Sequence, residues 1–263
     1  MAPRRVGAVG YLNARPLTWA LDWAPDRWQV RYDFPSVCAA LLRGGEVDLG
    51  LIPSIEYLSE PQYRLVPGVG IGSRGAVASV ALFTRKPIGE VRTIALDTSS
   101  RTSVTLIRVL CQHWFHIAPT YVPHGPDLVA MTRDYDAGLL IGDPAFDADP
   151  AALGLDKIDL GEQWTAMTGL PFVYAAWTGR AGTIGPEDVR ALQQAQAEGL
   201  AATAEIAAEY GRGDAARTAR AAAYLRDNVK YGLGPDEAAG LQRFLDYAAD
   251  LGLAPGRRVL EFF

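Results

Sequence analysis

The densest cluster of polar chemistry in this sequence is Asp97-Thr98-Ser99-Ser100-Arg101-Thr102-Ser103, where hydroxyls surround a single guanidinium. An apolar run at 93–96 precedes it. Val104, Ile107, Leu110 and Cys111 follow at the spacing of one helical face, so the segment reads as a strand-to-helix junction. A helix start leaves backbone N–H groups unpaired and carries partial positive charge, which attracts anions. Hydroxyls add donors, and Arg101 adds a fork able to grip a carboxylate at two points. An ordinary capped helix needs one Ser or Thr. The surplus here points to a carboxylate site built from Ser99, Ser100, Arg101, Thr102 and Ser103.

Other candidates sit where strands end. Asn13 follows the apolar run 5–11, and its amide can serve both a helix start and a ligand. Ser36 and Ser54 take the equivalent places after the second and third strands, where capping explains them equally well. Ser79 is a small hydroxyl inside a β-rich run, either a packing compromise or a group facing a cleft. Gly142-Asp143-Pro144 ends another strand; its carboxylate can orient a ligand hydroxyl or simply begin a turn. Trp164, Thr168, Gly169 and Phe172 offer an apolar wall and backbone donors for a flat molecule. His113 and His116 lack a carboxylate or cysteine to complete a metal set, and no metal site is expected. The sequence has no Walker loop, dinucleotide fingerprint or nucleophile elbow.

These positions require a scaffold of alternating strands and helices. Strand patterns at 5–11, 28–34 and 48–52 alternate with helical patterns at 14–21 and 36–43, the latter stopped by Gly44-Gly45. This βαβ rhythm predicts a parallel sheet. A strand at 77–84 leads to a second such series: strands at 93–96, 120–122 and 137–141 separated by helices at 101–115 and up to 133. Ala-rich helical stretches at 186–210, 214–231 and 235–251 close the sequence, and their single apolar faces predict that they pack back on the first lobe. The expected architecture is α/β and two-lobed: residues 1–85 with 181–263 form lobe 1, residues 86–180 form lobe 2, and hinges lie near 84–87 and 177–181.

Composition narrows the function. A net charge of −5 over 263 residues disfavours nucleic acid, which needs a clustered basic face. It does not disfavour an anionic ligand, because a cleft can be locally positive on an acidic protein. No apolar run reaches the roughly 20 residues of a membrane span, and the start lacks a secretory h-region. Two distant cysteines, Cys38 and Cys111, fit buried thiols in a reducing compartment. A cytoplasmic protein with a small-molecule partner, and neither nucleic acid nor membrane, is expected.

A helix followed by Gly45-x-x-Asp48 and an apolar strand resembles the type II periplasmic-binding-protein-like fold. Gly10-Tyr11-Leu12-Asn13-x-x-Pro16-Leu17, Gly50-Leu51-Ile52-Pro53-Ser54-x-Glu56-Tyr57 and the 97–103 segment, in this order, resemble the chorismate dehydratase family of the futalosine route to menaquinone. The resemblance runs from the first strand to about Tyr174. It implies a hydro-lyase that turns dianionic chorismate into 3-[(1-carboxyvinyl)oxy]benzoate with neither metal nor organic cofactor. On that expectation the 97–103 segment holds one carboxylate, Asn13 and Ser79 orient the other and the ether, and the base is Asp143 or the substrate's own side-chain carboxylate. Two rivals stand beside it. One is a non-catalytic binder of a small carboxylate; the other is the naphthoate synthase of the same pathway, whose Ser-Cys-Pro opening motif is absent here.

Overall fold

The computed structural model describes residues 2–263. The first sheet is built from β1 (Arg4–Val9), β2 (Trp28–Asp33), β3 (Leu49–Pro53) and β4 (Tyr63–Ser73), with α1 (Arg15–Thr18) and α2 (Pro35–Gly44) in the connections. The chain then enters the second sheet: β5 (Val80–Thr84), β6 (Thr93–Asp97), α3 (Arg101–Leu110), β7 (Thr120–His124), α4 (Leu128–Asp134), β8 (Ala137–Ile141), α5 (Gly142–Asp147), β9 (Asp156–Asp159) and α6 (Leu160–Thr168). β10 (Phe172–Arg180) returns to the first sheet, and α7 (Pro186–Ala201), α8 (Thr203–Gly211), α9 (Ala215–Ala223) and α10 (Pro235–Asp250) finish the chain.

The sheet orders are β2-β1-β3-β10-β4 and β7-β6-β8-β5-β9. In each, three parallel strands are joined by one antiparallel strand that enters from the other lobe's side of the chain. The βαβ rhythm accounts for the parallel part, because a crossover helix returns the chain in the same direction. The expected α/β two-lobed architecture is present. Its boundaries are corrected: β5 belongs to the second sheet and β10 to the first, so the chain changes lobes between residues 73 and 80 and between 168 and 172, rather than at 84–87 and 177–181. Both exchanged strands are buried and mostly apolar, with Thr84 and Thr178 as buried polar exceptions, and local pattern does not say which sheet they join.

Local chemistry explains the elements that carry the site. α2 opens on Pro35 in its first turn and closes on Gly45, whose φ of +73° lets its N–H reach the carbonyls of Leu41 and Leu42. It buries Cys38, Ala39, Leu41 and Leu42 against the sheet. Ser36 is thus inside the helix and does not cap it; Phe34 stands at that position. α3 begins where Ser100 accepts from the Ser103 N–H. The strand expected from residue 77 starts only at Val80, because Ala78 takes a left-handed φ of +66°. β4 and β9 escaped the sequence patterns: Pro67 and three glycines dilute the first, and the second is short and charged.

The C-terminal helices do more than cover the first lobe. α7 packs on α1 and β4, and α10 packs on β10, but α10 also touches α3 in the second lobe. Tyr210, Arg217 and Arg220 of the α8–α9 region all bind Asp147 at the end of α5. No helix among the described residues is long and apolar enough to cross a membrane.

Candidate active site

Between the lobes lies a narrow cleft with a cavity of about 50 Å³. Lobe 1 contributes Val9, Tyr11 and Asn13 at the end of β1, Pro35 at the start of α2, Pro53, Ile71, and Tyr174 with Ala175 from β10. Lobe 2 contributes Val80, Ser100, Ser103, Ile141 and Gly142. The parallel strands point their carboxyl ends here, which is where open α/β sheets receive ligands. The walls are apolar and the polar groups few, a combination that orients a ligand by a small number of hydrogen bonds.

Those polar groups are available. Ser100 donates its hydroxyl to Ser103 Oγ at 3.0 Å, which leaves the Ser103 hydrogen free to turn towards a ligand. Ser103 is 2% exposed, so this donor works in a dry setting. Ser99 Oγ is buried without a partner, while its N–H binds Asp97 Oδ1 at 2.9 Å. Across the cleft the Asn13 side-chain amide makes no hydrogen bond to the described residues and lines the cavity. None of the residues lining the cavity is charged. An anion held here meets hydroxyls, an amide and the start of α3.

Several expectations for the site need correction. Arg101 does not face the cleft: its Nη1 donates to Glu56 Oε1 at 2.7 Å, and Arg43 holds the other oxygen of that carboxylate at 2.6 Å. As the first residue of α3, Arg101 projects over the lobe boundary while Ser100 and Ser103 turn inward. Thr102 is also committed to the boundary, its Oγ1 accepting from the Ile55 N–H at 3.2 Å and lying 3.4 Å from Ser54 Oγ. Ser54 donates to the Val173 carbonyl at 2.7 Å. Ser36 meets lobe 2 through its backbone, donating its N–H to the Ser99 carbonyl at 3.2 Å.

The expected apolar wall is elsewhere. Trp164 is fully buried and stacks edge-on against Phe172 and Phe244 at 5.2 and 6.1 Å, with its Nε1 bound to the Pro171 carbonyl. Thr168 and Gly169 form the stop of α6: the Thr168 hydroxyl donates to the Trp164 carbonyl, and Gly169 has φ +72°. The true walls, Val9, Pro35, Ile71, Val80, Ile141 and Tyr174, lie on six separate elements and carried no shared local signal.

Asp143 lies beside the cleft, its Oδ1 accepting from the Leu12 N–H of the other lobe at 2.9 Å. Burial pushes its carboxyl up to about 6, the Asp147 charge adds to this, and the Leu12 N–H and Arg217 oppose it. Gly142, with φ +63°, receives the Tyr11 ring so closely that an added Cβ would lie 2.7 Å from it. Burial raises the Tyr11 phenol above its ordinary range, helped by the nearby Asp97 and Asp143 carboxylates. Ser79 is 1% exposed, and its carbonyl accepts from the cleft-lining Gly142 N–H at 2.8 Å. Among the described residues no group of His, Cys, Asp or Glu is placed to hold a metal ion.

The comparisons agree with this architecture. A family model described as menaquinone biosynthesis matches residues 4–250. A chorismate dehydratase of Thermus thermophilus is 31% identical over 272 residues, covering 97% of this chain and 98% of that protein. Among solved structures, a protein of Archaeoglobus fulgidus superposes with a TM-score of 0.75 at 19% identity, covering 96% of this chain and 98% of that one. The alkanesulfonate-binding protein of Xanthomonas axonopodis pv. citri bound to MOPS gives 0.71 at 16% identity, covering 99% and 96%. These structural likenesses show a periplasmic-binding-protein-like fold. With its full-length match, the chain belongs to the menaquinone-biosynthesis family that includes the Thermus chorismate dehydratase.

Proposed function

We propose that this protein is a chorismate dehydratase, a hydro-lyase that converts chorismate to 3-[(1-carboxyvinyl)oxy]benzoate using its own residues. The observation that carries the reading is the cleft: Ser100 and Ser103 at the start of α3 face the unpartnered Asn13 amide across apolar walls. A flat ring with two carboxylates matches hydroxyl and amide donors at opposite ends and hydrocarbon between. The name of the Thermus relative gives the same substrate.

The ring C–H next to the enolpyruvyl ether is vinylogous to the ring carboxylate. As that proton leaves, its electron pair forms a new ring double bond, charge spreads towards the carboxylate, and the neighbouring C–O bond breaks. Hydroxide takes up the proton and departs as water, leaving an aromatic ring. Donors fixed on the ring carboxylate lower this barrier, each by up to about 3 kcal/mol. In this reading the Ser99–Ser100–Ser103 end holds the ring carboxylate, and Asn13 holds the side-chain carboxylate over the departing proton as its base. Asp143 is less suited to that task because its carboxylate faces the Leu12 N–H. Ser79 orients the ether or the leaving hydroxyl.

The test is direct: incubate the purified protein with chorismate and follow loss of the cyclohexadiene absorbance and gain of a benzoate chromophore. Binding of chorismate without turnover would favour a non-catalytic binder, and Asn13→Ala should abolish turnover if the reading holds.

A further inference from the structure

Ser79 is held from a direction that none of the strand-end motifs foreshadows. Its Oγ accepts a 2.7 Å hydrogen bond from the hydroxyl of Tyr224, which lies 145 residues later in the chain. Tyr224 opens a π-helical turn, Tyr224–Asn228, that follows α9. Such turns are uncommon and concentrate at functional sites, because the extra residue re-aims a side chain. The phenol ring is 3% exposed and lies 4.5 Å, centroid to centroid, from the ring of Phe146 on α5. The α5 helix begins at the cleft-lining Gly142, and its last residue, Asp147, anchors Arg217 and Arg220 of α9. The arm carrying Tyr224 is therefore tied to the same element that forms one lip of the cleft.

The backbone around Ser79 is equally constrained. Ala78 adopts φ +66°, a conformation costing about 1–3 kcal/mol for a residue with a side chain and usually kept where function requires it. Asp159 accepts the N–H groups of both Val77 and Ala78, at 3.0 and 2.6 Å, and Lys157 donates to the Ala78 carbonyl at 2.7 Å. The Ser79 carbonyl binds Gly142 N. With the turn clamped on all sides, the remaining freedom of Ser79 is rotation of its hydroxyl. A donor fixed on Oγ removes it, because the serine hydrogen must then point away from Tyr224. Burial raises the Tyr224 phenol well above its ordinary range, so it remains a donor throughout the working pH range.

We propose that Tyr224 is a positioning residue for the dehydration: by donating to Ser79 Oγ it directs the serine hydrogen towards the ether or leaving hydroxyl of the substrate. This role rests on the chorismate reading and assigns a reaction role to the C-terminal helical arm.

The test uses the full chain and a double-mutant cycle, with kcat and KM on chorismate measured separately for wild type, Tyr224→Phe, Ser79→Ala and the double variant. Phenylalanine keeps the ring against Phe146, so the expected loss is in kcat, roughly tenfold for one orienting hydrogen bond. KM should stay within about twofold, as expected for an interaction felt in the transition state. In the Ser79→Ala background the tyrosine change should add no further loss. If Tyr224→Phe alone folds poorly, the comparison of Ser79→Ala with the double variant decides, since the double variant leaves neither partner unpaired and Ser79→Ala leaves only the Tyr224 hydroxyl so. Equal kcat in that pair supports the role, and a further drop overturns it. An unchanged kcat in Tyr224→Phe overturns it as well. A wild-type protein that leaves chorismate untouched overturns the function and this role together, whereas an active wild type with an indifferent Tyr224→Phe overturns the role alone.

Discussion

Arg101 and Glu56 pair across the lobe boundary at 2.7 Å, with the carboxylate 6% and the guanidinium 46% exposed. Arg43 of the same lobe as Glu56 completes the triad, so one buried negative charge is shared by two cations. The pair turns a residue that looked like a ligand grip into a fastener of the closed cleft. It acts beside the Leu12–Asp143, Ile55–Thr102 and Ser36–Ser99 hydrogen bonds, all of which also cross between lobes.

Removing the fastener should loosen closure before it affects chemistry. In Arg101→Ala, Glu56 keeps Arg43 but loses a charge-assisted bond, which costs about 1–2 kcal/mol given how exposed the guanidinium is. The thermal midpoint should fall by several degrees, and solution scattering should show a larger radius of gyration. An unchanged radius together with lost binding of chorismate would return Arg101 to the role of ligand group.

Asp143 makes a prediction with a definite sign. Its carboxyl is pushed up to about 6 in the folded protein against 3.8 in the unfolded chain, so the native state binds that proton more tightly. Its contribution favours folding at low pH, is lost as pH rises from 3.8 through about 6, and leaves a cost of up to about 3 kcal/mol above that. Asp143→Asn keeps an acceptor for the Leu12 N–H and removes the ionisation. It should raise stability at pH 7 and flatten the pH dependence between about 4 and 6. Retained turnover in this variant is expected if the substrate carboxylate is the base, and its loss would make Asp143 the base instead.

Gly142→Ala should be disabling although it adds one methyl group. The position has φ +63°, and the new Cβ would lie 2.7 Å from the Tyr11 ring of the opposite lobe. Backbone strain of roughly 1–2 kcal/mol adds to a clash that is relieved only by opening the cleft. Turnover should fall by at least about tenfold, with little change in far-ultraviolet circular dichroism.

Trp164→Ala should unfold rather than merely inhibit. The indole is locked between Phe172 and Phe244, so truncation should cost about 3–5 kcal/mol, read from denaturant midpoints. A variant of normal stability that had lost chorismate binding would restore Trp164 to the site.

Neither thiol should react in the native state. Burial pushes Cys38 up to about 12 and Cys111 up to about 11, and both are inaccessible. Ellman's reagent should titrate none until denaturant is added, then two.

Much of this protein is legible in its sequence because some of its determinants are local. The helix start at Ser100 and the stop at Gly45 follow from capping chemistry, and the parallel β1–β2–β3 and β6–β7–β8 units follow from alternating periodicity. Gly10–Leu17, Gly50–Tyr57 and Asp97–Ser103 marked the family because each is a contiguous strand end. Only the tertiary structure decided the rest. Arg101 and Ser103 are two residues apart, yet 100° of rotation per helical residue sends one to Glu56 and leaves the other on the cleft. The sheet that β5 and β10 join, the burial of Trp164 away from the cleft and the reach of Tyr224 to Ser79 depend on contacts across tens to hundreds of residues. Periodicity records which face of an element is buried; it does not record against what.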